Sequence, residues 1–135
     1  MRHMDALIHE NLSEDIIGGA MKVLNSLRPG LDEKLYENAL LIELEKRGHR
    51  LQQQKQFPVH YYNRLIGTLQ PDLIVDEQVI VDPKVVTNFT DTHVAQMNGY
   101  LAITGLQLAL LINFKFAHLD WKRVVRSRTP DRPQW

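Results

Sequence analysis

Leu69-Gln70-Pro71-Asp72-Leu73-Ile74-Val75-Asp76-Glu77-Gln78-Val79-Ile80-Val81-Asp82-Pro83-Lys84-Val85-Val86 is the stretch on which the fold turns. Two apolar triplets rich in β-branched residues, Leu73-Ile74-Val75 and Val79-Ile80-Val81, flank the polar triplet Asp76-Glu77-Gln78. That pattern predicts a hairpin. Residues two apart on a strand share a face, so Asp82 and Lys84 project together. Counting back through the turn places Asp72 near them across the pair, and two carboxylates and one ammonium converge. Two nearby carboxylates repel unless something cationic lies between them. Lys84 supplies part of that charge. A divalent hard cation, which takes carboxylate oxygens plus waters, supplies more. It would polarise a phosphoryl oxygen and lower the pKa of a bound water. On spacing alone, the same three residues also read as ordinary charges on a solvated hairpin.

Upstream of this stretch, Val59–Tyr62 and Leu65–Leu69 flank Asn63-Arg64 and predict another hairpin. Strands joined by turns this short pair as neighbours, so an antiparallel meander is expected. Two helices precede it. Ser13 is the expected N-cap of the first, whose stripe is Ile16, Ile17, Ala20, Val23, Leu24 and Leu27, and Pro29-Gly30 ends it. The second starts near Asp32 with two adjacent rows, Leu35-Ala39-Ile42 and Tyr36-Leu40-Leu44, and stops at Lys46-Arg47-Gly48. Downstream, a helix is expected from about Asp91 to Thr104, with Gly105 as its stop. The apolar run Leu106–Asn113 suits a strand buried on both faces, and His118–Val125 a last strand. The order is α-α-β-β-β-β-α-β-β: an α/β fold with a mixed sheet.

A chain of 135 residues suits one domain, with 1–12 and 127–135 expected as flexible tails. Hydrophobic residues at 44% and charged ones at 24% are ordinary for a soluble globular protein. Cysteine is absent, which excludes disulfides and thiolate metal sites. No apolar run is long enough for a membrane helix, and Met1–Glu10 lacks a signal-peptide core, so a cytoplasmic protein with no membrane partner is expected. Lys plus Arg balance Asp plus Glu at 16 each, against a protein that coats nucleic acid by bulk attraction. The C-terminal part is locally basic, with Lys115, Lys122, Arg123, Arg126, Arg128 and Arg132 against Asp120 and Asp131, and reads as a wet strand face and tail. The six histidines show no metal-ligand spacing. His93, near the start of the third helix, is expected to cap it or stay solvated.

Pro71-Asp72 followed by Asp82-Pro83-Lys84 resembles the signature of PD-(D/E)xK nucleases, which have a restriction-endonuclease-like fold. Gly30, Glu33 and Tyr36 stand in the named positions of the GxxExxY protein family, and Gln96 and Tyr100 resemble the QxxxY element of RecB-like members. The resemblance covers about residues 13–125. It implies a central mixed sheet flanked by helices and a nuclease using Mg²⁺ or Mn²⁺ on DNA or RNA. Asp72 and Asp82 would ligate the metal, with Glu33 and the Pro83 backbone carbonyl completing its shell. Lys84 would be the catalytic lysine, and Gln96, Tyr100 and Tyr36 would support the site or touch substrate. A homodimer is a further expectation from the superfamily.

Two residues depart from the pattern. Asp82 stands where the family has Glu, so the metal would sit closer to the strand. Pro83 replaces a residue that has an N–H, and a bulge or loss of pairing is expected at Asp82-Pro83-Lys84. Pro83, the Asp at position 82 and the neutral net charge keep open a catalytically degenerate nuclease fold that binds nucleic acid or protein, and a third reading is an oligomeric scaffold or toxin–antitoxin-type accessory protein with a vestigial pocket.

Overall fold

The computed structural model describes residues 7–126. Its elements are α1 (Glu10–Leu27), α2 (Glu33–Lys46), β1 (Leu51–Gln53), β2 (Phe57–Tyr61), β3 (Arg64–Leu69), β4 (Leu73–Val75), β5 (Val79–Lys84), α3 (Asp91–Thr104), β6 (Leu108–Asn113) and β7 (Asp120–Val125). Five strands form one sheet in the order β1-β4-β5-β6-β7, and β2 and β3 form a separate two-stranded sheet. Among the described residues only the β5–β6 pair is parallel, and α3 is the crossover between them.

Alternation along the strands divides the core into two layers. Leu73, Val75, Val79, Val81, Leu108, Leu110 and Ile112 face α1 and α2, while Ile74, Ile80, Ala109 and Leu111 face α3 through Met97 and Leu101. All of β6 is buried, as its unbroken apolar run predicts. The α1–α2 contact is close: a Cβ added at Gly19 would lie 2.9 Å from Leu44 Cδ2. Gly105 ends α3 at φ 80, in the left-handed region open to glycine.

The expectations for the meander, for a tail at 10–12, for the Ser13 cap and for a wet Arg123 are corrected. The meander does not form, because β1, unrecognised in the sequence, pairs with β4 in the place expected of β3, with Leu51 opposite Val75 and packed on the larger core layer. β4 is buried throughout, whereas β3 carries exposed residues and is divided from β4 by Gln70-Pro71, where Pro71 has no N–H to donate. The first helix starts at Glu10, so residues 10–12 belong to it and not to a tail. Ser13 is therefore a buried helical residue: its Oγ donates to the Glu10 carbonyl at 3.0 Å and accepts from Arg123 Nη1 at 2.9 Å. The Leu35 and Ile42 row of α2 is exposed, since Tyr36, Leu40 and Leu44 already fill the layer below it. Arg123, read as part of a wet basic face, ties β7 to α1, its Nη2 donating to the Ile8 carbonyl at 2.7 Å. Arg128, Asp131 and Arg132, and the tail at 127–135, lie outside the described residues.

The β4–β5 turn is stapled to the helices by His49. Its Nδ1 lies 2.7 Å from Asp76 Oδ2 and its Nε2 2.6 Å from Asp15 Oδ2. Burial disfavours charge on His49, but the two carboxylates outweigh it and raise its pKa above the usual histidine value. The Asp15 pKa is lowered, chiefly by His49, and the Asp76 pKa is lowered against its burial by the Arg50 N–H and by His49. A raised histidine pKa contributes stability that is full below its unfolded pKa and is lost as pH rises through the folded value. Replacing His49 by Ala should therefore cost about 1–2 kcal/mol near pH 6 and much less near pH 9, read by urea melts at both pH values. An equal cost at the two would refute an ionised staple.

Candidate metal centre

The candidate site lies in a notch of the main sheet. β4 begins at Leu73, opposite Val81, while β5 runs on beside β6 as far as Lys84. The Lys84 carbonyl accepts from the Phe114 N–H at 2.8 Å. Backbone groups of successive strand residues point to opposite edges, so even-numbered residues of β5 bond toward β6 and odd-numbered ones face the edge that β4 has left. Pro83 is odd-numbered. Its missing N–H is one that no ladder partner would have used, and β5 continues through it in register with Ile112. The bulge expected at Asp82-Pro83-Lys84 is absent, because proline is tolerated where the N–H side of a strand is unpaired. The Pro83 carbonyl faces the same vacated edge.

Glu33 enters that edge from α2. Its Oε1 accepts from the Val85 N–H, also odd-numbered, at 3.3 Å, standing where a β4 carbonyl would otherwise be. An acid in the first turn of a helix is favoured by the dipole. The loop ahead of it is held by Tyr36, whose hydroxyl donates to the Arg28 carbonyl at 2.6 Å and accepts from the Leu31 N–H at 3.1 Å. The Tyr36 ring is fully buried and stacks on Phe114 with centroids 4.8 Å apart, so this tyrosine braces the loop before Glu33.

Asp72 sits just ahead of β4. Gln54, at φ 58, donates its backbone N–H to the Asp72 carbonyl at 3.0 Å and its side-chain amide to Asp72 Oδ1 at 3.2 Å and to Glu37 Oε2 at 3.0 Å. One carboxylate oxygen from each of Glu33, Asp72 and Asp82 lies within 4.8 Å of the others. Lys84 Nζ stands 3.5 Å from Asp82 Oδ1, as the shared strand face requires.

Two buried acids near the notch differ in a way that matters. Glu37 is 3% exposed, and its Oε2 accepts from Lys34, Gln53 and Gln54 at 3.1, 2.9 and 3.0 Å. Asp82 is also 3% exposed, yet its Oδ1 has no hydrogen bond among the described residues. Burial pushes the Asp82 carboxyl up, Lys84 draws it back, and Asp72 and Glu33 push it up again, to about 7. Even with the Lys84 ammonium 3.5 Å away, a buried carboxylate oxygen that accepts no hydrogen bond among the described residues, beside two further carboxylates, is short of positive charge. Three hard oxygen donors fit Mg²⁺ or Mn²⁺.

The α3 residues border this group. Ile74, Ile80, Asp82 and Lys84 share the face covered by α3. The Tyr100 pKa is raised by burial first and then by the charges of Asp82 and Asp72. Gln96 Nε2 donates to that hydroxyl at 3.0 Å. His93 is a cap: its N–H bonds Thr90 Oγ1 at 3.2 Å, and its Nδ1 accepts from the Thr90 N–H at 3.0 Å.

Gln54, Glu37 and Asn113 were not singled out in the sequence. Glu37 follows Glu33 by four, a spacing that puts both on one helix face and was there to be read. Asn113 sits opposite Lys84 and clasps the chain beyond it, donating to the Val86 carbonyl at 2.7 Å and accepting from the Val86 N–H at 3.2 Å. Gln54 carries no sequence signal, because its role arises only once β1 and β4 pair.

A comparison with curated proteins finds no match. Among solved structures, the chain is similar to an alkaline exonuclease from Laribacter hongkongensis, with 14% identity, a TM-score of 0.46, and coverage of 80% of this chain and 76% of that one. A sequence profile of the PD-(D/E)XK nuclease superfamily matches residues 10–124. That match runs from the first residue of α1 almost to the end of β7 and includes every residue that builds the acidic notch: the chain belongs to the PD-(D/E)XK nuclease superfamily.

Proposed function

We propose that this chain is a divalent-metal-dependent nuclease that hydrolyses phosphodiester bonds in DNA or RNA. The observation that carries the reading is the Asp82 Oδ1, buried and without a hydrogen bond among the described residues, within a group of three carboxylates that has one lysine beside it. Asp72, Asp82 and Glu33 are the ligands, with the Pro83 carbonyl a further one, and Mg²⁺ or Mn²⁺ is the ion. When bound, the ion supplies charge that polarises a phosphoryl oxygen and acidifies water. Lys84 is the catalytic lysine: its ammonium, held against Asp82, orients the attacking water or stabilises charge developing on the phosphoryl oxygens. Gln96 and Tyr100 border the same face and position the substrate backbone.

Gly30, Glu33 and Tyr36 support a place within the GxxExxY group of the superfamily. We further propose that the chain works as one domain in the cytoplasm. Among the described residues no helix is long and apolar enough to cross a membrane. A homodimer would offer one site to each strand of a duplex. The degenerate-site alternative rests on Pro83, on Asp at position 82 and on the neutral net charge; β5 runs through Pro83 in register, which removes the first of these grounds.

The test needs no knowledge of the substrate. Titrating Mn²⁺ into the wild type by calorimetry should give saturable binding, and Asp72→Asn should weaken it at least about tenfold by removing one charged ligand. Absence of binding by the wild type up to millimolar metal would sink the proposal.

A further inference from the structure

The β2–β3 hairpin stands outside the main sheet, and its far half is exposed to solvent. Tyr61 and Tyr62 at the tip are 54% and 57% exposed, and Leu65 and Ile66 are 63% and 65% exposed. The two tyrosine rings meet edge to face, with centroids 4.8 Å apart and planes at 87°. Arg64 lies directly opposite Tyr61 in the strand register. From Lys46 to Pro71 the chain carries no acidic residue, although it has 16 in all. The arm is therefore free of the negative charge that fills the neighbouring notch.

The root of the hairpin is fastened to that notch. Phe57, at its base, packs on the core layer under α3. Gln70 Nε2 donates to Gln54 Oε1 at 2.8 Å, and Gln54 is the residue that holds Asp72. Only Gln70 and Pro71 separate the last residue of β3 from Asp72. The six residues of β3 from Leu69 to Arg64 span about 17 Å, the length of roughly five stacked nucleotides at 3.4 Å each.

We infer that this hairpin is a base-stacking arm, on which Tyr61 and Tyr62 receive unpaired bases of a nucleic-acid strand whose backbone runs toward the acidic notch. The inference rests on the nuclease reading and adds to it the class of substrate: single-stranded nucleic acid, or a frayed end. Stacking on exposed aromatic faces is tolerant of sequence and needs bases out of a duplex. Arg64 beside the tip supplies a phosphate contact, and the absence of acids removes the repulsion that a surface of average composition would impose.

The experiment is fluorescence anisotropy in EDTA, which halts metal-dependent cleavage, using a labelled oligothymidylate and a labelled blunt duplex. The wild type should prefer the single strand. Tyr61→Ala/Tyr62→Ala should weaken binding at least about tenfold without changing its dependence on salt, because stacking releases no counterions. Arg64→Ala should lower the salt slope by about 0.7. Both tyrosines are exposed, so an unchanged melting temperature checks that the variant folds. Wild-type protein that binds neither probe, equal affinity for the duplex, or a double variant that binds as tightly as wild type would overturn the inference. So would light scattering in which the double variant turns a dimer into a monomer, since the arm would then contact a second copy. Tyrosine-dependent binding without Mn²⁺-dependent cleavage would support the arm and sink the nuclease reading. Cleavage unaltered by the double substitution at limiting substrate would do the reverse.

Discussion

Lys84→Met protein is expected to fold, to bind Mn²⁺, and to lose cleavage by about two to four orders of magnitude. Methionine keeps most of the volume of the lysine stem, which is 15% exposed and packs at the end of β5, so the strand and its pairing to Asn113 survive. The three carboxylates remain in place, and metal affinity at alkaline pH should change little. What goes is the ammonium 3.5 Å from Asp82 Oδ1, the one cationic side chain paired with the acidic group among the described residues. A phosphoryl-transfer step leans on positioning and charge, so losing that group should act on kcat far more than on KM. The measurement is Mn²⁺-dependent cleavage of single-stranded DNA and RNA by both proteins, with metal binding followed in parallel. Equal cleavage by wild type and variant would end the assignment of Lys84.

The second large effect is a trade between function and stability at Asp82. Asp82→Asn should abolish metal binding and make the metal-free protein more stable than wild type at pH 8, by roughly 1–3 kcal/mol. The sign follows from linkage. In the metal-free fold the Asp82 pKa is raised to about 7 from an ordinary value of 3.8. The folded state therefore holds more protons than the unfolded one between those values, and Asp82 lowers stability as pH climbs through that window. Above pH 7 the wild type carries the full penalty of a buried charge. Asparagine carries none, and its amide can donate to Asp72. The gap in melting temperature between the two proteins should be some degrees in EDTA at pH 8 and should shrink toward pH 5. Millimolar Mn²⁺ should raise the wild type and leave the variant unmoved. The same ionisation sets the pH dependence of loading: below pH 7 the metal must displace a proton, so affinity should fall about tenfold per pH unit. A variant less stable than wild type in EDTA at pH 8 would contradict this account.

Residue types and spacing carried much of the candidate site before any coordinates. Asp82 and Lys84 share a face because they are two apart, and Asp72 meets Asp82 because the β4–β5 hairpin closes as Asp76-Glu77-Gln78 predicts, with Gln78 N–H bonding the Val75 carbonyl at 2.9 Å. Glu33 came from the resemblance and not from spacing, and the structure brings it to within 4.8 Å of the two aspartates. Pro83 was misread. A proline in a strand is damaging only if its N–H has a partner, and whether it has one depends on where the neighbouring strand stops. Tyr36 was read as touching substrate or supporting the site, and its buried hydroxyl holds the loop before Glu33.

The sequence by itself determined the elements that local geometry governs: α3 from Asp91 to Thr104 with its Gly105 stop, the buried run of β6, and the alternation that puts Asp82 and Lys84 on one face. These rest on periods of 3.6 and 2 that covalent structure imposes on any chain. Tertiary structure alone decided that β1 displaces β3 beside β4, that the vacated edge of β5 becomes a notch, and that Glu33 fills it from α2. It alone decided that Asp82 Oδ1 is buried with no hydrogen bond among the described residues while Glu37 Oε2 nearby accepts three. Those outcomes depend on which distant segments compete for one strand edge and on how much water their packing removes, and neither quantity is local to any stretch of sequence.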